Sequence, residues 1–174
     1  LSGLCRDLGG RTLIWGGGRR RGPLPADAAQ TLAIDFFGEL ADRVEDHGTV
    51  FCLEPLTPAD TDFVNSVHEC QAIAHAVDRP SLKVQIDVKA MVGNHELDVE
   101  TVAVVADDLV HVHANEPGFE ILGSSGTIDH QLAGNCLRDI GYDGYVSIEQ
   151  KTIDPDDVFG PIRQSLTILR KAYA

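Results

Sequence analysis

Five short apolar runs, each separated from the next by a stretch of helical periodicity, constrain this chain more than any other feature. They are residues 12–16 (TLIWG), 49–53 (TVFCL), 82–86 (LKVQI), 109–112 (LVHV) and 145–148 (YVSI). Their β-branched richness is that of strands in a buried parallel sheet. Between the first two, Ala28, Leu32, Phe36, Leu40 and Val44 recur every four residues behind a candidate N-cap at Asp27, and Gly48 stops the helix. That stripe is predicted to cover the sheet. Phe63, Val67, Ala74 and Val77 mark the next helix, and a short one follows over 99–106. Another spans roughly 130–140, and Phe159, Ile162, Leu166 and Leu169 mark the last. Strict alternation of strand and helix dictates βα units around a parallel sheet. With no linker or low-complexity tract, residues 1–174 read as one domain.

Composition narrows the function. Acidic residues number 27 against 14 basic ones, and the formal charge of −13 disfavours generic binding to phosphate backbones or anionic lipid. No apolar run reaches the 18 or so residues of a membrane span, and residues 1–10 lack the basic-then-apolar order of a signal peptide. The expected compartment is the cytoplasm. Cys5, Cys52, Cys70 and Cys136 form no C-x-x-C pair, so they read as reduced thiols.

Parallel α/β sheets place their chemistry just past the carboxyl ends of the strands. Four of the five strands end in metal-ligand types: Glu54, Asp87, His113 and Glu149. A single carboxylate there is ordinarily a turn or helix cap. Four consecutive strands ending at one rim can instead focus their side chains on a point if the sheet curls into a barrel. Three carboxylates and an imidazole suit one divalent ion, Mn²⁺ or Mg²⁺ first, with Co²⁺ and Zn²⁺ compatible. Residues two back from each ligand share the inner face. These are Cys52, Gln85, His111 and Ser147, small or polar groups where a barrel interior normally holds Val, Ile and Leu. They are expected to orient the ligands; the alternative for His111 is a purely structural buried imidazole.

The stretches LEPLTPADTDFVNSV, QIDVKAM, HVHANEPG, GSSGTIDH and IGYDGYVSIEQ resemble the xylose-isomerase-like TIM-barrel superfamily, in its sugar (phosphate) isomerase/epimerase branch that includes ketose 3-epimerases. The resemblance implies one divalent metal held by Glu54, Asp87, His113 and Glu149, whose successive spacings of 33, 26 and 36 residues are similar to the family's. It implies that Glu54 and Glu149 also carry protons on opposite faces of a sugar or sugar-phosphate substrate, through an enediolate. It further implies that residues 12–16 are the fourth barrel strand, so that this chain holds strands four to eight of a (β/α)8 barrel. A closed barrel needs about 250 residues. A partial sequence is therefore expected ahead of a half-barrel completed by a homo-oligomer, and its unclosed sheet should make a poor monomer.

Departures bear on the substrate. The histidine that ketose 3-epimerases carry three residues after the metal-binding aspartate is Ala90 here, and the arginine six residues after the metal-binding histidine is Phe119. Asp60 stands where the epimerases have a second glutamate. The run 16–22 (GGGRRRG) lies at the catalytic rim, where Arg19, Arg20 or Arg21 could hold a phosphate or carboxylate; the alternative is a solvated loop. An abasic-site endonuclease is disfavoured, because Ala90 and the missing D-x-H after His113 remove ligands of its three-metal cluster. An inosose dehydratase-type lyase and a metal-binding fragment without turnover remain as alternatives.

Overall fold

A computed structural model describes residues Leu1–Ala174. Its strands are β1 (Thr12–Trp15), β2 (Val50–Leu53), β3 (Leu82–Asp87), β4 (Leu109–Asn115) and β5 (Val146–Glu149). They form one sheet in sequence order, with each neighbouring pair parallel. The helices are α1 (Ser2–Asp7), α2 (Ala26–Val44), α3 (Val67–Val77), α4 (Val88–Gly93), α5 (Val99–Val104), α6 (His130–Asp139) and α7 (Phe159–Tyr173). A doubly wound sheet reverses its strand order at a switch point, and this one does not. The chain is five βα units of a TIM barrel. β1 and β5 each keep one edge without a strand partner.

Strand parity divides the sheet into two chemistries. Phe51, Leu53, Val84, Ile86, Val112 and Ala114 point outward and are buried beneath the helices. Cys52, Gln85, His111, His113 and Ser147 lie on the other, concave face, and the register pairs Gln85 with His111 and His113 with Ser147. Two apolar clusters fill the outer layer. One lies among α2, α3 and β2, and the other among β3, β4, α5 and α6. No helix is long and apolar enough to cross a membrane.

Helix phase is where the structure corrects the sequence reading. In α2 the buried positions are Ala29, Ala33, Phe37, Ala41 and Val44, whereas Leu32 is 60% and Phe36 45% exposed. Alanines let α2 lie close to the sheet, and Phe36 is displaced onto the Trp15 ring of edge strand β1, with centroids 5.1 Å apart. In α7, Pro161, Ser165 and Ala172 are buried while Phe159 is 67% exposed. Both helices flank the open edges of the sheet. Two start signals also move. Helix α2 begins at Ala26, so Asp27 sits in its first turn rather than capping it. Helix α3 begins beyond Phe63, at a capping box in which Ser66 accepts from the Glu69 N–H and the Glu69 carboxylate accepts from the Ser66 N–H.

Candidate metal centre

The ends of β2 to β5 bring Glu54, Asp87, His113 and Glu149 together, with one donor atom from each lying within 4.8 Å of all the others. Each is held from below or beside. Gln85 Nε2 donates to Glu54 Oε1 at 2.7 Å, and Gln85 Oε1 in turn accepts from the Cys52 thiol at 3.5 Å. His113 Nδ1 donates to the same Glu54 oxygen at 3.0 Å and lies 3.5 Å from Glu149 Oε2. Asp87 has two tasks. Its Oδ1 accepts from the Ala90 N–H at 2.7 Å, capping α4, while its Oδ2 accepts from Asn115 Nδ2 at 2.6 Å. Gly16, just past β1, completes the fit, since a Cβ there would collide with Glu54 Oε2.

The electrostatics are those of a cluster short of positive charge. Burial, and then repulsion from Glu54, push Asp87 up to about 6. Burial alone would lower His113, but its hydrogen bonds to Glu149 and Glu54 outweigh that and raise it to about 9. The same His113 contact holds Glu149 below its ordinary value against burial. A proton on His113 thus stands in for a cation among three carboxylates. Oxygen-rich donors with one imidazole match Mg²⁺ or Mn²⁺ and remain compatible with Co²⁺ and Zn²⁺. The residues fit a divalent ion.

A sequence model of the family described as "Xylose isomerase-like TIM barrel" matches residues 3–172. The chain belongs to that family. Among curated relatives of this xylose isomerase-like chain, a Xenopus laevis protein named "Putative hydroxypyruvate isomerase" is 32% identical over 123 residues, 64% of this chain and 42% of the relative. The ketose 3-epimerase of Arthrobacter globiformis is 29% identical over 122 residues, 68% of this chain and 42% of the relative. The chain therefore spans well under half the length of these relatives. The solved D-psicose 3-epimerase with D-tagatose from Clostridium cellulolyticum H10 superposes with a TM-score of 0.86 at 20% identity, over 99% of this chain and 68% of that one. At that identity the likeness is one of fold.

Within the xylose isomerase-like frame, the remaining predicted residues divide. Gln85 directly positions Glu54, with Cys52 behind it as an inert thiol that burial and Glu54 push up to about 12. His111 packs edge-on to His113, with centroids 5.3 Å apart, and burial followed by the charge of His113 lowers its pKa. Ser147 is half-buried on the concave face and bonds to no ligand. Asp60 lines a cavity of about 300 Å³ shared with Glu54, Asp87 and Glu149. The three loop arginines are placed differently. Arg19 donates to the carbonyls of Phe63, Trp15, Gly16, Glu54 and Val64, which occupies the whole guanidinium fork and leaves nothing for an anion. Arg21 bonds the Leu24 carbonyl and lines a different cavity, between α2 and α3, and Arg20 is exposed.

Two residues escaped the sequence reading. Asn115 is fully buried and its Nδ2 bridges Asp87 (2.6 Å) and Glu149 (2.8 Å). Counting two residues forward from His113, as well as two back, would have found it on the inner face. Lys89 also lines the cavity. Its only signal was proximity to Asp87.

Proposed function

We propose that this chain carries the metal and proton-transfer site of a divalent-metal-dependent isomerase or epimerase acting on a small sugar or sugar phosphate. The observation that supports it is the convergence of all four expected donors with both glutamates among them. When bound, a divalent ion there supplies Lewis-acid polarisation of neighbouring carbonyl and hydroxyl oxygens, which acidifies the intervening C–H. Glu149, whose carboxylate accepts from Asn115, serves as one proton carrier. Glu54, fixed by Gln85, serves as the other. One glutamate takes the carbon-bound proton. Return of a proton by the second to the opposite face of that carbon epimerises it, whereas return to the neighbouring carbon isomerises aldose and ketose. Asp87 and His113 act only as ligands in this scheme.

Solvent exchange is the test. With Mn²⁺ present, a ketose, aldose, hydroxypyruvate or phosphorylated-sugar substrate is expected to take up deuterium at the carbon beside its carbonyl. Glu54→Gln or Glu149→Gln should suppress that uptake. Loss of water from an inosose with no exchange on any sugar would assign the lyase reaction instead. Metal binding with neither reaction would leave a binding fragment.

A further inference from the structure

The cavity beside the metal ligands has a second end, built from Lys89, Asp60 and Phe119. Lys89 sits in the first turn of α4, and its side chain is only 16% exposed. Its ammonium has three N–H donors to satisfy. The structure offers them one long contact, to Asp60 Oδ2 at 3.5 Å, and the face of the Phe119 ring, 4.7 Å from Nζ to centroid. A ring face attracts the charge but does not replace a directional acceptor. Both neighbours are themselves held. Thr57 Oγ1 donates to Asp60 Oδ2 at 2.9 Å. Phe119 adopts φ +57°, in the left-handed region that a bulky residue avoids, and its carbonyl accepts from the Lys151 N–H at 2.9 Å. The Lys89 main chain is tied to the metal end as well, because its N–H donates to Asn115 Oδ1 at 2.9 Å.

We propose that Lys89 and Asp60 form a hydroxyl-gripping subsite that fixes the unreactive end of a neutral polyhydroxylated substrate. This rests on the metal-dependent sugar reaction proposed above. The ammonium donates to one hydroxyl oxygen while the Asp60 carboxylate accepts from the next hydroxyl along the carbon chain, and Phe119 holds the lysine between them. Charge argues for a neutral occupant. Lys89 is the sole cation lining the cavity against the carboxylates of Glu54, Asp60, Asp87 and Glu149, so even a divalent ion leaves a net negative charge there. Arg19, which bonds the Glu54 carbonyl at the rim, is spent on carbonyls. Because Lys89 and Asp60 line the same cavity as the metal ligands, the subsite would set which sugars are accepted.

The chain has four lysines, so ε-¹³C-lysine labelling gives a spectrum in which the Lys89 signal can be assigned by its loss in Lys89→Arg. In the Mg²⁺-loaded protein, D-fructose and xylitol are expected to shift that signal saturably. Lys89→Met and Asp60→Asn should each weaken D-fructose binding by roughly ten-fold or more, the loss typical of a charge-assisted hydrogen bond. Mn²⁺ should still bind both variants, somewhat tighter in Lys89→Met and somewhat weaker in Asp60→Asn as the removed charge dictates, which also reports that the fold is intact, and Lys89→Arg should recover part of the sugar binding. A Lys89 signal that neither polyol moves, or that moves only with inorganic phosphate or glycolate, overturns the proposal. Deuterium exchange separates this from the reaction itself. Exchange with a silent Lys89 removes the subsite and keeps the reaction, whereas a shifted Lys89 without exchange keeps the subsite and removes the reaction.

Discussion

The two ends of the sheet treat buried acid in opposite ways. At the amino end, Asp108 in the turn before β4 is 9% exposed, yet it receives Lys83 Nζ at 2.7 Å, His75 Nε2 at 2.7 Å and Gln71 Nε2 at 3.1 Å. Burial works to raise its pKa, but Lys83, Gln71 and His75 overcome it and hold the carboxyl down to about 2. At the carboxyl end, Asp87 is buried beside Glu54 and Glu149, and it rises to about 6. One end neutralises its charge with side chains from α3 and β3, which ties those elements to β4. The other leaves a deficit that only a cation from outside the chain can fill. In this architecture the first pattern belongs to stability and the second to chemistry.

Asp87→Asn breaks the comparison at its sharpest point. Replacing the carboxylate keeps an N-cap acceptor for α4 but removes a ligand, so divalent-metal affinity measured by titration calorimetry should fall by roughly a hundred-fold or more. The metal-free melting temperature should stay level or rise, because a repelled buried charge is gone. Gly16→Ala acts on the same end through sterics alone. The new methyl displaces Glu54 from its place under Gln85, and a ten-fold order of loss in metal affinity is expected. Asp108→Asn should do the reverse of Asp87→Asn. It leaves metal affinity intact and destabilises the fold by about 1–2 kcal/mol in urea titration, less than a fully buried pair because His75 and part of Lys83 face solvent. Equal metal loss in Asp87→Asn and Asp108→Asn would dissolve the distinction between the two ends.

Legibility in the sequence followed the same divide between strands and helices. A period of two is unambiguous over a short strand, so Glu54, Asp87, His113 and Glu149, with Gln85 beneath, were placed on one face and one rim without coordinates. Helix phase is weaker, because two four-residue stripes run side by side along α2: the expected one, Ala28, Leu32, Phe36 and Leu40, lies one residue off the buried one, Ala29, Ala33, Phe37 and Ala41. The mistake had a physical source. Leu32 and Leu40 outsize Ala33 and Ala41, and size normally marks the core, but here the alanines pack inward with Phe37, while Leu32 and Phe36 lie toward an open edge of the sheet. Arg19 misled for a related reason. A sequence displays the charge of a guanidinium but not the carbonyls that fold around it, and Arg19 serves as a staple between the loop after β1 and residues 63–64. Lys89 and Phe119 were invisible as a pair, because they are 30 residues apart and meet only through a left-handed backbone at Phe119.

One experiment reads both ends at once, stability against pH. Asp87 titrates at about 6 in the folded chain against an ordinary 3.8, and His113 at about 9 against 6.5. In both cases the folded state holds its proton more tightly than the unfolded state does. Metal-free stability should therefore decline as pH rises, through Asp87 between about 3.8 and 6 and through His113 between 6.5 and 9. Each group contributes at most about 1.4 kcal/mol per pH unit. Asp108 has the opposite sign. Its stabilisation is present above 3.8 and is lost as pH falls through about 2. A bound divalent ion requires neutral His113 and ionised Asp87, so adding Mg²⁺ should reverse the alkaline trend, its affinity climbing about ten-fold per pH unit while the His113 proton is displaced. Metal-free thermal melts from pH 2 to 9 read the Asp108, Asp87 and His113 windows in turn; repeated with Mg²⁺ at pH 6.5, 8 and 9 they measure both alkaline slopes, and His113→Asn should flatten both. A metal-free melting temperature that climbs from pH 6.5 to 9 in the unsubstituted chain would mean that His113 does not hold the stand-in proton, and the charge deficit at this end would need another account.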